Sequence, residues 1–222
     1  AACAGASLTP ALAQQSAYPT KAVRMVVPYP PGGATDVIGR LIADKLGTRW
    51  GQAVIVDNRA GAGTTVGAEN VAKSAPDGYT LYETTATHTI SASLYPKLSY
   101  KPTTDLVPVS LVVNNVEMLV VSPKASYKNG ADFIEAAKKS KDKPLTMASS
   151  GTGSVPHLAA IQVNESAGVN LLHVPYKGAA PAIADVMAGH VDGFFGDIPG
   201  LVGGIDGGKL KPIGIAASKR NA

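Results

Sequence analysis

Residues 22–46 read AVRMVVPYPPGGATDVIGRLIADKL. The first seven, AVRMVVP, are a nearly unbroken apolar run of strand length, rich in β-branched valine, which predicts a strand buried on both faces. Tyr29-Pro30-Pro31-Gly32-Gly33 then supplies turn residues. From Thr35-Asp36 the spacing becomes helical, with Val37, Ile38, Leu41, Ile42 and Leu46 on one face. Ala34 or Thr35 is the expected N-cap, and Asp36 suits the positive end of the helix dipole. A buried strand turning directly into a helix is half of a βαβ unit, so this stretch points to an α/β fold with parallel sheets.

The alternation continues along the chain. Strands are expected over 53–57, 79–84, 118–121, 145–148, 170–174, 191–195 and 210–216, with an additional extended run at 106–113. Helices are expected over 65–73, 131–139, 155–167, 181–188 and once more before residue 210. Two βα series joined by the paired runs at 106–113 and 118–121 predict two lobes with a strand crossover between them. The expected division is a leader at 1–17, lobe one at 18–113, lobe two at 114–211 and a return crossover at 212–222. Closure of the lobes is expected about the strands near 107–121 and 211–216.

Composition narrows the function classes. The chain has 222 residues, with Gly 24, Pro 16, 45% hydrophobic and 5% aromatic residues. That apolar share excludes a disordered chain, and the turn-forming residues fit a loop-rich α/β protein. No segment is long and apolar enough to cross a membrane as a helix. Lys+Arg 20 against Asp+Glu 16 gives a thinly spread +4. It lacks the basic runs of a nucleic-acid footprint and favours small anions instead. Residues 1–19 carry no charged side chain, and Ala11-Leu12-Ala13 fits a signal peptidase site. We expect a clipped signal peptide cut after Ala13, export to a periplasm, and a mature chain without Cys3 and therefore without disulfides. An Ala-rich leader is the alternative, and Cys3 after Ala1-Ala2 also suits the end of a lipoprotein box.

Four strand ends lead into loops that suit ligand chemistry. In the first, Tyr29, Pro31, Gly32, Gly33, Ala34 and Thr35 combine a stiff entry with backbone N–H groups at a helix start, where the dipole favours an anion. A tight turn with no ligand is the plain alternative. The second, 148–157, carries Ser149, Ser150, Gly151, Thr152, Ser154 and His157, more hydroxyls than one helix cap uses. The third offers Tyr176, Lys177 and Gly178, and the fourth Thr84, Thr85, Thr87 and His88. Enzyme signatures fail. Residues 61–67 read G-x-G-x-x-x-G after a second strand, so the dinucleotide fingerprint is not met, and neither a Walker A nor a G-x-S-x-G motif occurs. His88, His157, His173 and His190 lack metal-ligand spacing, and His173 in an apolar strand reads as a satisfied core histidine. No cofactor or metal is expected. A hydrolase or transferase using Ser149 or Ser150, and a ligand-dependent sensor partner, remain as competing classes.

Several longer motifs fall in one order: Tyr18-Pro19-Thr20-Lys21-Ala22-Val23-Arg24 with Val26 to Gly33, Asp57 to Gly63, Ala75 to Leu81, and His173-Val174-Pro175-Tyr176-Lys177-Gly178. In these the chain resembles the tripartite tricarboxylate transporter substrate-binding proteins, or Bug receptors, of Gram-negative bacteria. The resemblance implies a type II, Venus-flytrap fold of the periplasmic-binding-protein kind, in a monomeric, non-enzymatic receptor. Such a receptor captures a mono-, di- or tricarboxylate, or an aromatic or amide compound, for separate membrane permease subunits. It implies that loop 30–35 is a carboxylate pincer acting through backbone N–H groups and waters. Ser149, Gly151, Thr152 and Ser154 would close on the other end of the ligand, with His157 in the same motif. Tyr176, Lys177 and Gly178 would line the cleft, and residues 84–88 would help select the ligand. Where the family often has Asp-Asn, this chain has Gly196-Asp197, so Asp197 is a displaced candidate for a ligand amine or hydroxyl. Family members continue past Lys219-Arg220, so the resemblance also implies that part of lobe one, and the cover for its apolar surface, comes from beyond residue 222. Poor solubility of these 222 residues is the expectation.

Overall fold

The computed structural model describes residues 18–140, 142–217 and 219. The leader, Cys3 and the cut after Ala13 lie outside these described residues, as do Lys141, Ser218 and residues 220–222.

Lobe one is built on a three-stranded parallel sheet of β1 (Val23–Val27), β2 (Val54–Asn58) and β3 (Thr80–Tyr82), in the order β2-β1-β3. Central β1 keeps Val23, Val26 and Val27 fully buried and Met25 nearly so, as its apolar run demands. Helix α1 (Ala34–Trp50) follows β1, a 3-10 turn (Ala62–Thr64) and α2 (Thr65–Ala72) follow β2, and α3 (Thr87–Leu94) follows β3. The N-cap of α1 is Gly33, one residue before the expected Ala34 or Thr35. Asp36, in the first turn of α1, accepts from the Gly32 N–H at 2.9 Å.

Lobe two has a five-stranded sheet of β4 (Glu117–Val121), β5 (Thr146–Ser149), β6 (Leu172–Pro175), β7 (Gly193–Asp197) and β8 (Lys211–Ile215). Its order is β6-β5-β7-β4-β8, with β4 antiparallel to both neighbours. Alternation along the central strands fills both faces. Leu119, Val121 and Phe195 pack with Phe133 and Ala137 of α4 (Gly130–Lys139) and Ala160 of α5 (Val155–Ala167). Val120 and Phe194 turn the other way, onto Ala182 and Val186 of α6 (Ala179–Ala188) and Leu201 of α7 (Ile198–Asp206). A sheet covered by helices on both faces is the doubly wound arrangement its βα alternation predicts.

Two segments depart from the sequence reading. The run 106–113 forms no strand: Val107, Val109 and Leu111 are 83%, 87% and 77% exposed, and no described strand pairs with them. Apolar, β-branched composition makes a strand only where a partner strand offers its hydrogen-bond ladder. Conversely, 87–94, whose first residues read as part of a polar loop and whose remainder carries no expected element, is helix α3. Its Thr-His-Thr-Ile-Ser-Ala-Ser-Leu sequence has weak intrinsic helix preference, and burial of Thr87 and Ser91 against lobe one outweighs that. Residues 211–215, at the expected start of the return crossover, are the edge strand β8 of the second sheet.

Candidate functional site

In an open α/β sheet the crevice for a ligand lies at the carboxyl ends of the strands, where the strand order reverses. In lobe one the reversal falls between β1 and β3, and the loops leaving these strands meet: the Tyr29 hydroxyl lies 2.8 Å from the Thr85 Oγ1. In lobe two it falls between β5 and β7, whose carboxyl ends carry Ser149 and Asp197. Both switch points face the same interlobe space, because the loops touch across it. Gly178 approaches Pro30 so closely that a Cβ on it would stand 2.5 Å from the proline Cδ. A Cβ on Gly33 would lie 3.6 Å from the Ala179 Cβ, and one on Gly200 3.0 Å from the Ala34 nitrogen. Gly153 packs on Ile90 and Leu94 of α3.

These contacts bring together the amino ends of α1, α6 and α7, with α5 and α3 beside them. Each helix N-terminus carries unsatisfied N–H groups and about half a positive charge. The N-caps of α1, α3, α6 and α7, namely Gly33, Ala86, Gly178 and Asp197, make no side-chain capping bond. Of these five helices α5 alone has a side-chain cap, the Ser154 Oγ, which accepts from the His157 N–H at 3.4 Å. Convergent, uncapped helix starts from both lobes form an environment for an anion.

The first loop is braced from behind. Asp36, 3% exposed, accepts from the Gly32 N–H, from the Arg40 Nε at 3.0 Å and from the Asn58 Nδ2 at 2.8 Å. Asn58 also donates to the Tyr29 carbonyl at 2.9 Å. Burial opposes ionisation of Asp36, yet the bonds from Arg40, Gly32 and Asn58 outweigh it and hold the carboxyl below its usual range. The Gly32 N–H therefore serves Asp36. Gly33, Ala34 and Thr35 sit buried at the helix start, and Pro31 is exposed on the loop.

The other candidates divide into two groups. Thr152 and Lys177 are exposed, and among the described residues neither side chain has a partner. Gly151 is half-buried, and Thr85 and Thr87 sit at the start of α3, Thr87 only 2% exposed. Ser149, in contrast, is fully buried: its Oγ lies 2.6 Å from the His173 Nε2 and 3.1 Å from both the N and the O of Gly151. The Tyr176 hydroxyl is committed to Asp185 at 2.5 Å, and burial, aided by that carboxylate, pushes the phenol up to about 12. His157 and His173 stack face to face, ring centroids 3.9 Å apart. His173 is thus satisfied, as expected, by the buried Ser149 at the end of the neighbouring strand β5.

One group escaped sequence reasoning. Glu117 opens β4 directly opposite Asp197 on β7. Burial, then the charge of Asp197, pushes Glu117 up to about 8, and burial raises Asp197 as well. At neutral pH this pair keeps at least one proton. Only the register between two strands distant in sequence brings the acids together. Hollows of about 590 and 380 Å³ lie elsewhere, beside α1 and β2 and at the amino end of β5, away from every loop described here.

Two α/β lobes meeting across the carboxyl ends of their sheets make a fold of the periplasmic-binding-protein class. Residues 38–222 match the family described as tripartite tricarboxylate transporter family receptor, and the chain belongs to it. Protein BugT of Bordetella pertussis is 38% identical over 208 residues, covering 92% of this chain and 63% of BugT. MatC of Rhodopseudomonas palustris, solved with bound malate, is 34% identical with a TM-score of 0.82 over 91% of this chain and 69% of MatC. An R. palustris protein solved with adipate is 32% identical with a TM-score of 0.87, over 91% and 68% of the two chains. The chain spans about three-fifths of the length of the curated relatives it matches.

Proposed function

We propose that this protein is a periplasmic solute receptor that captures a small carboxylate between its lobes and delivers it to membrane permease subunits. The observation that carries the reading is the convergence of uncapped helix starts, α1 from one lobe and α6 and α7 from the other, on one interlobe space. Backbone N–H groups at these ends bind a carboxylate without a fixed cation, which suits a ligand that must also be released. Loop 31–35 would hold one end of the ligand. Thr152, Gly151, the Ser154 turn and Lys177 would hold the other, with Thr85 and Thr87 at the side. Asp197 with Glu117 would accept or donate a hydrogen bond at a hydroxyl or amine. The malate and adipate complexes of related proteins support the ligand class, and family membership supports the transporter partner and the periplasmic address.

Binding from both lobes drives closure only through contacts made in the closed form alone. A hydrolytic role for Ser149 is disfavoured by its complete burial, because its Oγ faces His173 and the Gly151 backbone rather than a substrate carbonyl. Isothermal calorimetry of the full chain against malate, adipate, citrate, benzoate and nicotinamide tests the proposal. One or more carboxylates should bind in the micromolar range, roughly −8 kcal/mol. Absence of binding by every acid in that panel would reject it.

A further inference from the structure

The loop between β5 and α5 is wired to two imidazoles. Gly153, in the left-handed region at φ +79°, is the point where this loop meets Ile90 and Leu94 of the opposite lobe. Its N–H donates to the His157 Nδ1 at 3.1 Å. The neighbouring turn is closed by the Ser154 N–H on the Gly151 carbonyl, also at 3.1 Å. His157 stacks on His173, whose Nε2 reaches Ser149, and Ser149 in turn holds both backbone atoms of Gly151. Every turn of the loop is thus tied, directly or through one residue, to the histidine pair.

An imidazole nitrogen that accepts a backbone N–H carries no proton, so His157 is neutral with its hydrogen on Nε2. Adding a proton at Nδ1 would put two donors face to face, abolish the Gly153 bond and place a charge against the His173 ring. We propose that His157 is a positioning residue for loop 151–154, braced by His173 and Ser149, and that its protonation releases this loop from lobe one and with it the ligand. The release of ligand rests on the carboxylate-cleft reading above; the coupling of His157 to the loop does not.

Surrounding charges leave the pair to itself. Titratable groups on or flanking α5 and the elements that it or its loop meets are Asp192 and Asp197 about β7, Glu165 two turns along α5, Tyr176 and Lys177 beyond β6, and His88 and Tyr95 about α3. None of them shifts either ring. Burial lowers His157, and burial followed by the charge of His157 lowers His173. With its value lowered in the ordered loop, His157 binds fewer protons there than in a released loop. Loop stability is therefore complete above about pH 6.5 and declines as pH falls through the window below it.

Two measurements on the full chain test this. Without ligand, NMR from pH 7.5 to 5 should show the Gly151, Gly153 and Ser154 amides moving with the His157 imidazole, at a midpoint below 6.5. In His157→Asn, whose side-chain oxygen can take the Gly153 N–H at any pH, the same amides should stay still. Amides that ignore the His157 titration, or that move equally in His157→Asn, overturn the proposal. If that variant does not fold, the wild-type Gly153 amide, followed against the His157 imidazole, decides alone. With malate and adipate as probes, calorimetry should show wild-type affinity falling by up to about tenfold per pH unit below the midpoint, beyond any slope seen in His157→Asn. Equal slopes overturn it. Failure of both probes to bind at pH 7.5 counts against the carboxylate reading, and the NMR result still decides the role of His157.

Discussion

Ser149, at the end of β5, and Thr152, in the loop that follows, stand three residues apart and do different work. Ser149 is fully buried, with its hydroxyl joined to His173 and Gly151, so its removal strands polar groups inside lobe two. Ser149→Ala should lower unfolding free energy by about 1–3 kcal/mol in urea titrations. Thr152 is exposed and has no bond to lose. Thr152→Ala should leave the urea midpoint in place while weakening carboxylate binding by roughly tenfold, from ~1 kcal/mol per hydrogen bond. Calorimetry and denaturation on the two variants should give opposite rankings. From the sequence both residues read as ligand hydroxyls, since a cluster of Ser, Thr and Gly at a strand end marks a binding loop. Which hydroxyl faces inward depends on His173, 24 positions away, and no local pattern records that.

Elements show the same division between local and distant information. Buried strands and most helices other than α3 were legible because periodicity and turn chemistry are local. The amphipathic α4, for example, opens on Asn129, whose side chain accepts from the Asp132 N–H at 2.9 Å. Pairing across the sheet was not legible, and it decides the electrostatics of β4. Opposite Asp197, Glu117 titrates at about 8, above its ordinary value of 4.5. A carboxyl raised on folding binds more protons in the native state, so the native state loses stability as pH climbs from about 4.5 to 8. Glu117→Gln should therefore raise Tm at pH 8.5, by about 2–4 °C for each kcal/mol recovered, and by little at pH 5. Calorimetric scans at the two pH values check it, and an equal gain at both would refute the assignment. Phe194, 1% exposed between β5 and α6, marks the packing side of the same sheet. Phe194→Ala should cost about 3–5 kcal/mol in chemical denaturation.

At the scale of the molecule, the lobes approach through residues with little or no side chain: Gly33, Ala34, Gly178, Ala179 and Gly200. Small residues let the helix amino ends of the two lobes come close together. A side chain at Gly178 meets Pro30 and a backbone at φ +153°. Gly178→Val should hold the lobes apart, seen as a larger radius of gyration by small-angle X-ray scattering with adipate present, and as weaker binding. An unchanged radius and affinity would mean that the lobes do not close through this contact. Two lobes were foreseeable from the doubled βα series, but the conformation of the segment joining them was not, because an extended run acquires a ladder only from a neighbour. That segment has a consequence for handling the protein. Residues 107–113, VPVSLVV, hold alternate apolar side chains in solvent, with no backbone partner among the described residues and Pro108 and Ser110 interrupting the run. Such a run can template the same run in another molecule, edge to edge. Purified as these 222 residues, the chains should self-associate with a steep concentration dependence, visible as growing light scattering. Val109→Lys, a single gatekeeper charge at the most exposed of these positions, should suppress it without altering the folded lobes.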